Sequence, residues 1–116
     1  MADFWVPRAF SANNMWRHNR GRSHLSPEYR AWIEECQWEL KRQGAHSYGC
    51  YPHDYKLIIT AKRNAKMDLD NIVKPINDLA QRTELVKNDR QCIFVQARWA
   101  TNGDGVSVRI EPAGME

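Results

Sequence analysis

Two aspartates separated by one residue, Asp68 and Asp70, are the strongest candidates for chemistry in this 116-residue chain. They lie in the stretch KMDLDNIVKPIND, where Lys74 follows Asp70 by four residues. Unpaired carboxylates held this close repel one another unless a cation or a proton intervenes. In extended backbone, residues i and i+2 point to the same side, so both carboxylates are expected to reach one point.

A third acid, Asp89, precedes the apolar stretch CIFVQARWA, which is typical of a strand. If that strand neighbours the strand ending near residue 62, Asp89 is expected at the same end of the sheet. Three carboxylates suit a hard divalent ion such as Mg²⁺, which would polarise a phosphodiester oxygen and help to generate a hydroxide. Lys74 would then stabilise charge developing on the phosphate.

A simpler interpretation needs no metal. The Asp68–Asn71 stretch would cap a helix, Lys74 would be a solvated helix residue, and Asp89 would belong to a turn. On spacing alone this interpretation is the stronger one. The four histidines are not at ligand spacing, and the three cysteines form no CxxC pair, so zinc is not expected.

The net charge of +3 is mild, but the basic residues are clustered. One cluster lies in the stretch NNMWRHNRGRSH, and the other runs directly into the aspartate pair. Such clusters beside acids suit a polyanionic substrate that is held while a metal acts on it. The predicted DNA-binding residues are Asn14, Arg17, Arg20, Arg22, Arg63 and Lys66. The alternative for the first cluster is a solvated loop.

Length and composition predict one domain spanning residues 1–116. No apolar run approaches the roughly 20 residues that cross a bilayer, so no membrane partner is expected. The N-terminus lacks the basic start and apolar stretch of a signal peptide, and the cysteine number is odd. We therefore expect a cytoplasmic protein with reduced thiols.

Two helices are predicted. The first follows Ser26 as N-cap and Pro27 at the first helical position, and ends before Gly44. Its core stripe is Tyr29, Trp32, Ile33, Cys36 and Leu40, and Trp38 lies opposite, where it marks either a partner surface or an ordinary exposed residue. The second spans residues 70–82, with Asp70 or Asn71 as cap and an awkward Pro75 that removes a backbone bond.

Strands are predicted over residues 3–10 and 55–62, and a hairpin over residues 92–100 and 106–110. The polar segment SANNMWRHNRGRSH lacks periodicity and is expected to be a long functional loop. The order of elements predicts an α+β fold, in which two main helices pack on a small mixed sheet.

Three stretches together resemble one protein family. They are SANNMWRHNRGRSHLSPE, an Asn/Arg-rich segment; DLDNIVKPINDL, similar to a D-L-D-N-x-x-K-x-x-x-D-x-L signature; and VKNDRQC, similar to a D-D-x-Q segment ahead of a strand. Their order and spacing, over roughly residues 11–100, are similar to the RusA family of Holliday junction resolvases.

The resemblance implies a homodimeric, Mg²⁺-dependent endonuclease of bacterial or phage origin, with Mn²⁺ as a substitute ion. It would cut four-way DNA junctions symmetrically in recombination and repair, leaving 5′-phosphates and 3′-hydroxyls. It further implies that Asp68, Asp70 and Asp89 are the catalytic metal-binding acids and that Lys74 is the catalytic lysine. Asn71 and Asp78 match motif positions with a supporting or structural role.

Two positions depart from the family pattern. Asn88 replaces the first acid of the Asp-Asp pair, and Met67 stands where a basic residue is common. Two other hypotheses therefore remain: a non-catalytic junction-binding module that has lost turnover, and a structural domain without a DNA partner. The intact acid triad favours the enzyme.

Overall fold

The computed structural model describes residues 2–47 and 49–113. Its elements are β1 (Ala2–Val6), β2 (Trp16–Asn19), β3 (Arg22–Leu25), α1 (Pro27–Gln43), β4 (Tyr55–Lys62), α2 (Val73–Arg82), β5 (Cys92–Ala100) and β6 (Val106–Pro112). Three short 3₁₀ turns occur at Ala12–Asn14, Leu69–Ile72 and Asp89–Gln91. No helix in the described part of the chain is long and apolar enough to cross a membrane.

Four strands form one sheet in the order β1–β6–β4–β5. β5 pairs with β4 in parallel, whereas β6 pairs antiparallel with both β4 and β1. The remaining two strands, β2 and β3, form a separate hairpin. The predicted α+β class, with two helices and a small mixed sheet, is confirmed.

The predicted hairpin of the last two strands is wrong, because β4 lies between β5 and β6. The connecting residues 101–105 cross over the end of β4, where the backbone N–H of Lys62 donates to the carbonyl of Gly105 at 2.9 Å. β4 and β6 are the two interior strands, and alternate residues along both are buried. The turn residues between β5 and β6 therefore belong to a connection that crosses one intervening strand, not to a tight hairpin.

The core lies between one face of the sheet and the two helices. Tyr55, Leu57, Ile59 and Ala61 of β4 are completely buried. The α1 stripe is confirmed: Tyr29, Trp32, Cys36 and Leu40 are also fully buried, and Ile33 packs against them. The caps of α1 are confirmed as well, since Ser26 Oγ accepts from the N–H of Tyr29 and Gly44 has a positive φ of 69°.

The segment predicted as a long loop instead contains the β2–β3 hairpin. Arg20 and Gly21 form its tip, with φ values of 52° and 75°. Successive residues with positive φ give the turn that matches the twist of paired strands. Seven of the eight residues in these two strands are exposed, which is why the segment shows no hydrophobic alternation. The opening strand is shorter than predicted and ends at Val6.

The second helix begins later than predicted, at Val73, after the 3₁₀ turn Leu69–Ile72. Neither Asp70 nor Asn71 is its N-cap; Ile72 occupies that position without a side-chain hydrogen bond. Pro75 is therefore the third helical residue. The first four N–H groups of a helix have no partner within it, so a proline here removes no helical bond.

Candidate active site

Asp68 and Asp70 lie at the entry to α2, where the chain has left β4 and passed through an exposed loop. Asp68 occupies the N-cap position of the 3₁₀ turn, but its side chain makes no capping hydrogen bond. Among the described residues, neither carboxylate has a hydrogen-bond or ion-pair partner. The capping part of the simpler interpretation is therefore wrong, whereas Lys74 is an exposed helix residue and Asp89 belongs to a turn, as that interpretation expects.

Asp68 and Asp70 do not lie together in an extended strand, as was expected from their spacing. Asp68 has extended backbone, with φ −83° and ψ 144°, but Asp70 is part of the 3₁₀ turn. The alternation of an extended chain consequently stops before Asp70. Within residues 2–47 and 49–113, no three His, Cys, Asp or Glu side chains form a group that could hold a metal ion.

Asp89 is the first residue of the 3₁₀ turn that leads into β5. The strands β4 and β5 are neighbours, as expected, but they are parallel, so Cys92 lies beside Tyr55 and Ala100 beside Lys62. Asp89 is thus near the beginning of β4, whereas the chain towards Asp68 leaves from its end. The prediction that the strands alone bring these acids to one end of the sheet is wrong.

The crossover between the two strands provides contacts between these two regions. The 3₁₀ turn Leu69–Ile72 packs against β5, and α2 packs against the turn that carries Asp89. The backbone N–H of Asp89 donates to Gln81 Oε1 at 2.7 Å, and its carbonyl accepts from Asn77 Nδ2 at 3.1 Å. The helix α2 therefore connects the first two acids to the third.

The half-buried Asp89 lies close to two groups that also ionise. Burial is the main reason why the pKa values of Tyr55 and Cys92 lie above their usual range, and the nearby Asp89 carboxylate raises both further. A phenol and a thiol with raised pKa values stay neutral at pH 7.

Lys74 is the second residue of α2 and is exposed. Its ammonium group has no hydrogen-bond or ion-pair partner among the described residues. It lies two residues after the end of the 3₁₀ turn that contains Asp70, and four residues after Asp70 itself. A free cation beside two free carboxylates is available to a bound phosphate.

A groove of about 700 Å³ is lined in part by residues 62–67, the chain segment that directly precedes Asp68. Its basic lining residues are Arg8, Lys62, Arg63 and Lys66, and Met67, which also lines it, immediately precedes Asp68. Of these cations, Arg8 is paired with Glu35 at 3.1 Å. The groove thus presents several unpaired cations directly before the first acid.

The second basic region is the β2–β3 hairpin. Arg20 and Arg22 are exposed and have no ion-pair partner in the described part of the chain, whereas Arg17 forms a two-pronged contact with the Glu28 carboxylate at 2.7 and 2.9 Å. Asn14 ends the 3₁₀ turn Ala12–Asn14, which packs against the turn holding Asp70. The N-terminal basic segment is therefore anchored beside the acids.

Asn88, the departure from the family pattern, has a structural task. Its side-chain oxygen accepts from the N–H of Arg90 at 2.9 Å and caps the turn that begins at Asp89. Asn and Asp cap equally well. The substitution therefore preserves the local fold.

Asp78 also has a structural role. Its carboxylate accepts from the Tyr29 hydroxyl at 2.5 Å and from Arg82 Nε at 2.6 Å, and so it joins α2 to α1.

Sequence reasoning did not select four residues that the structure places around the site: Arg8, Lys62, Asn77 and Gln81. Lys62 belongs to the basic run that contains Arg63 and Lys66, so a signal for it was present. Arg8 comes from a distant part of the chain, beyond the end of β1. Asn77 and Gln81 are polar positions four residues apart, which is also ordinary for a helix surface.

Comparison with known proteins gives one family. The model of the family described as endodeoxyribonuclease RusA matches residues 6–111, nearly the whole chain. No curated protein matches the chain significantly. The matched range contains the free aspartates, Lys74, Asp89 and the basic groove and hairpin. The chain belongs to the RusA family of endodeoxyribonucleases, enzymes that hydrolyse DNA phosphodiester bonds and act on Holliday junctions.

Proposed function

We propose that this chain is a divalent-metal-dependent endodeoxyribonuclease that resolves four-way DNA junctions, with Mg²⁺ as its ion and Mn²⁺ as a substitute. The observation that carries the proposal is the pair of partner-free carboxylates, Asp68 and Asp70, directly after the segment that lines a groove with several unpaired cations. Free carboxylates and cations placed together suit a site that takes a metal ion and a phosphate at once.

The residues proposed to hold the ion are Asp68, Asp70 and Asp89. Their chemistry fits, because each offers carboxylate oxygens with no competing hydrogen bond or ion pair in the described residues. When bound, the ion would polarise the scissile phosphodiester and lower the pKa of a water molecule. The acids hold the ion, and Lys74 offsets the charge that develops on the phosphate.

The proposed DNA contacts are Arg63 and Lys66 in the groove and Asn14, Arg17, Arg20 and Arg22 in the N-terminal segment. These contacts would hold phosphates and read the shape of the junction more than its sequence. To bind a phosphate, Arg17 has to release Glu28. This exchange costs little, because an exposed ion pair stabilises a protein by at most about 1 kcal/mol.

The proposed unit is a homodimer of single-domain chains, because two identical sites related by a two-fold axis suit two symmetric strands. The feature that supports self-association is β5, which lies at the edge of the sheet. Ile93, Phe94 and Val95 on this strand are between 44% and 60% exposed, and Trp38 on α1 is also exposed. Light scattering on the purified protein measures the mass directly; a monomer at the concentrations where junctions are cut contradicts the dimer.

The activity test uses a synthetic four-way junction and a linear duplex of the same sequence, each with Mg²⁺ and with EDTA. We expect paired, symmetric nicks in the junction that require metal and disappear in Asp70→Asn. Junction binding by Asp70→Asn should be equal or stronger, because removing a negative charge does not weaken phosphate attraction. Glu34→Gln is the control, since it removes one exposed carboxylate on α1.

The outcomes separate the remaining hypotheses. Junction binding without metal-dependent nicks identifies a binding module that has lost turnover. If the junction and the linear duplex are cut equally, the chain is a metal-dependent nuclease without specificity for junctions. If Asp70→Asn cuts junctions at the wild-type rate, the assignment of the acids is wrong.

A further inference from the structure

Asn77, in the middle of α2, joins a core tyrosine to the third acid. The hydroxyl of the fully buried Tyr55 donates to Asn77 Oδ1, and Asn77 Nδ2 donates to the backbone carbonyl of Asp89 at 3.1 Å. A carbonyl only accepts hydrogen bonds, so the NH₂ end of the amide has to face Asp89. Both ends of the Asn77 side chain are therefore used, and its orientation is fixed by its partners.

Gln81 lies one helical turn further along α2, on the same face as Asn77. Its side-chain oxygen accepts the backbone N–H of Asp89 at 2.7 Å. The N–H and the C=O of Asp89 are thus both held by side chains of one helix. The neighbouring Asp78 accepts from Arg82 of the same helix and from Tyr29 of α1, so the helix that holds Asp89 is itself fixed to the core.

The same helix begins directly after the segment that carries Asp68 and Asp70. An α-helix rises about 1.5 Å per residue and is stiff over a few turns, so it sets a defined distance between its beginning and any side chain along it. Asp89, by contrast, lies in a 3₁₀ turn of only three residues. Asn77 and Gln81 join this short turn to α2, whereas its other anchors, the Gln91 Nε2 bond to the carbonyl of Pro52 at 2.7 Å and the start of β5, join it to the chain around the start of β4.

We propose that Asn77 is a positioning residue for the third acid, with Gln81 as its second contact: together they hold the backbone of Asp89 at a set place relative to Asp68 and Asp70. This inference rests on the proposed metal-dependent nuclease function. Neither side chain is assigned contact with the metal or the DNA. Their effect is to reduce the conformational entropy that the acids lose when an ion binds.

The test compares Asn77→Leu and Gln81→Leu with the wild type. Leucine has nearly the shape of asparagine, is one carbon shorter than glutamine, and makes no side-chain hydrogen bond. Gln81 is exposed, so Gln81→Leu tests the contact with little risk to folding, which urea unfolding of each variant checks. Gln37→Leu, the same change at an exposed position on α1, is the matched control.

Three quantities are measured: Mn²⁺ affinity by calorimetry, the Mg²⁺ concentration for half-maximal single-turnover cleavage, and junction affinity in EDTA. We expect Asn77→Leu to weaken Mn²⁺ binding and raise the half-maximal Mg²⁺ concentration by about 10-fold, the usual effect of removing a group that orients a ligand. Gln81→Leu should shift both in the same direction. Cleavage at saturating metal and junction affinity in EDTA should stay within a few-fold of the wild type.

Other outcomes overturn the inference. A lower cleavage rate with unchanged metal dependence, or no change in any quantity, shows that Asn77 serves the fold alone. An equal shift in Gln37→Leu shows that the effect is not specific to the Asp89 contacts. If the wild type itself neither binds Mn²⁺ nor cuts junctions with metal, the proposed function fails first, and the inference fails with it.

Discussion

The Tyr29 hydroxyl donates a hydrogen bond of 2.5 Å to the Asp78 carboxylate, which also accepts from Arg82 at 2.6 Å. Tyr29 is fully buried in α1, and Asp78 lies on α2, the helix that follows the first two acids. The bond therefore ties the helix that positions the site to the helix that completes the core. Two of the predictions below follow from it.

Tyr29→Phe should destabilise the protein by about 1–2 kcal/mol, because a hydrogen bond to a charged group is lost while the ring stays in the core. Asp78 keeps Arg82, so the larger penalty of an unpaired buried charge is avoided. Urea unfolding measures the change. Tyr51→Phe is the control, because the Tyr51 hydroxyl has no hydrogen-bond partner in the described residues, and it should stay within about 0.5 kcal/mol of the wild type.

Stability should fall steeply above about pH 10. Burial, helped by Asp78, raises the pKa of Tyr29, and burial, helped by Cys92 and Asp89, raises that of Tyr55. The unfolded chain releases these protons near pH 10, while the folded protein retains them. Each tyrosine therefore lowers the free energy of unfolding by up to about 1.4 kcal/mol per pH unit. Their contribution is complete below pH 10 and is lost as the pH rises towards the folded-state pKa values.

The measurement is the free energy of unfolding in urea between about pH 9 and 11. Burial also raises the pKa of Cys36, to about 12. Cys36 therefore also lowers the stability as the pH rises, beginning at a lower pH than the tyrosines. The comparison is therefore between the wild type and the Tyr29→Phe/Tyr55→Phe double variant, which should lose stability less steeply above pH 10. Equal slopes for the two proteins would contradict the tyrosine assignment.

Much of the fold was predictable because its signals are local. Ser26, Pro27 and Gly44 mark the ends of α1, and the strand predicted over residues 55–62 is β4 as observed. Strand pairing was not predictable from the same signals. The turn TNGDG predicts a hairpin. Whether β4 lies between the two strands that this turn joins depends on how all four strands pair, which is a property of the whole sheet.

The candidate site, like the fold, was predictable from the sequence only in part. Asp68 and Asp70 were found from their spacing, yet their extended geometry was misjudged because a 3₁₀ turn begins at Leu69. Asp89 was placed at the wrong end of the sheet, since a parallel neighbour cannot be told from an antiparallel one by sequence alone. The contacts of Asn77 with Asp89 depend on the tertiary packing of α2 and have no local signal.

Lys66→Gln should weaken junction binding and reduce its salt dependence. Lys66 lines the groove before Asp68 without an ion-pair partner among the described residues. Losing one phosphate contact lowers the slope of log affinity against log salt by about 0.9. Binding isotherms between about 50 and 200 mM salt measure it. Lys41→Gln, on α1 outside the groove, should leave the slope unchanged, and an equal drop in both variants would show that only net charge matters.

Asn88→Asp should leave the fold intact and strengthen metal binding. The Asn88 side-chain oxygen caps the turn that begins at Asp89 by accepting from the N–H of Arg90, and an aspartate can make the same bond with one oxygen. Its second oxygen and its negative charge then add to the attraction that Asp89 exerts on a cation. We expect an unfolding free energy within about 0.5 kcal/mol of the wild type and a half-maximal Mg²⁺ concentration lowered a few-fold. A lower Mg²⁺ requirement means that the amide at this position limits metal affinity, whereas an unchanged requirement confines residue 88 to its capping role.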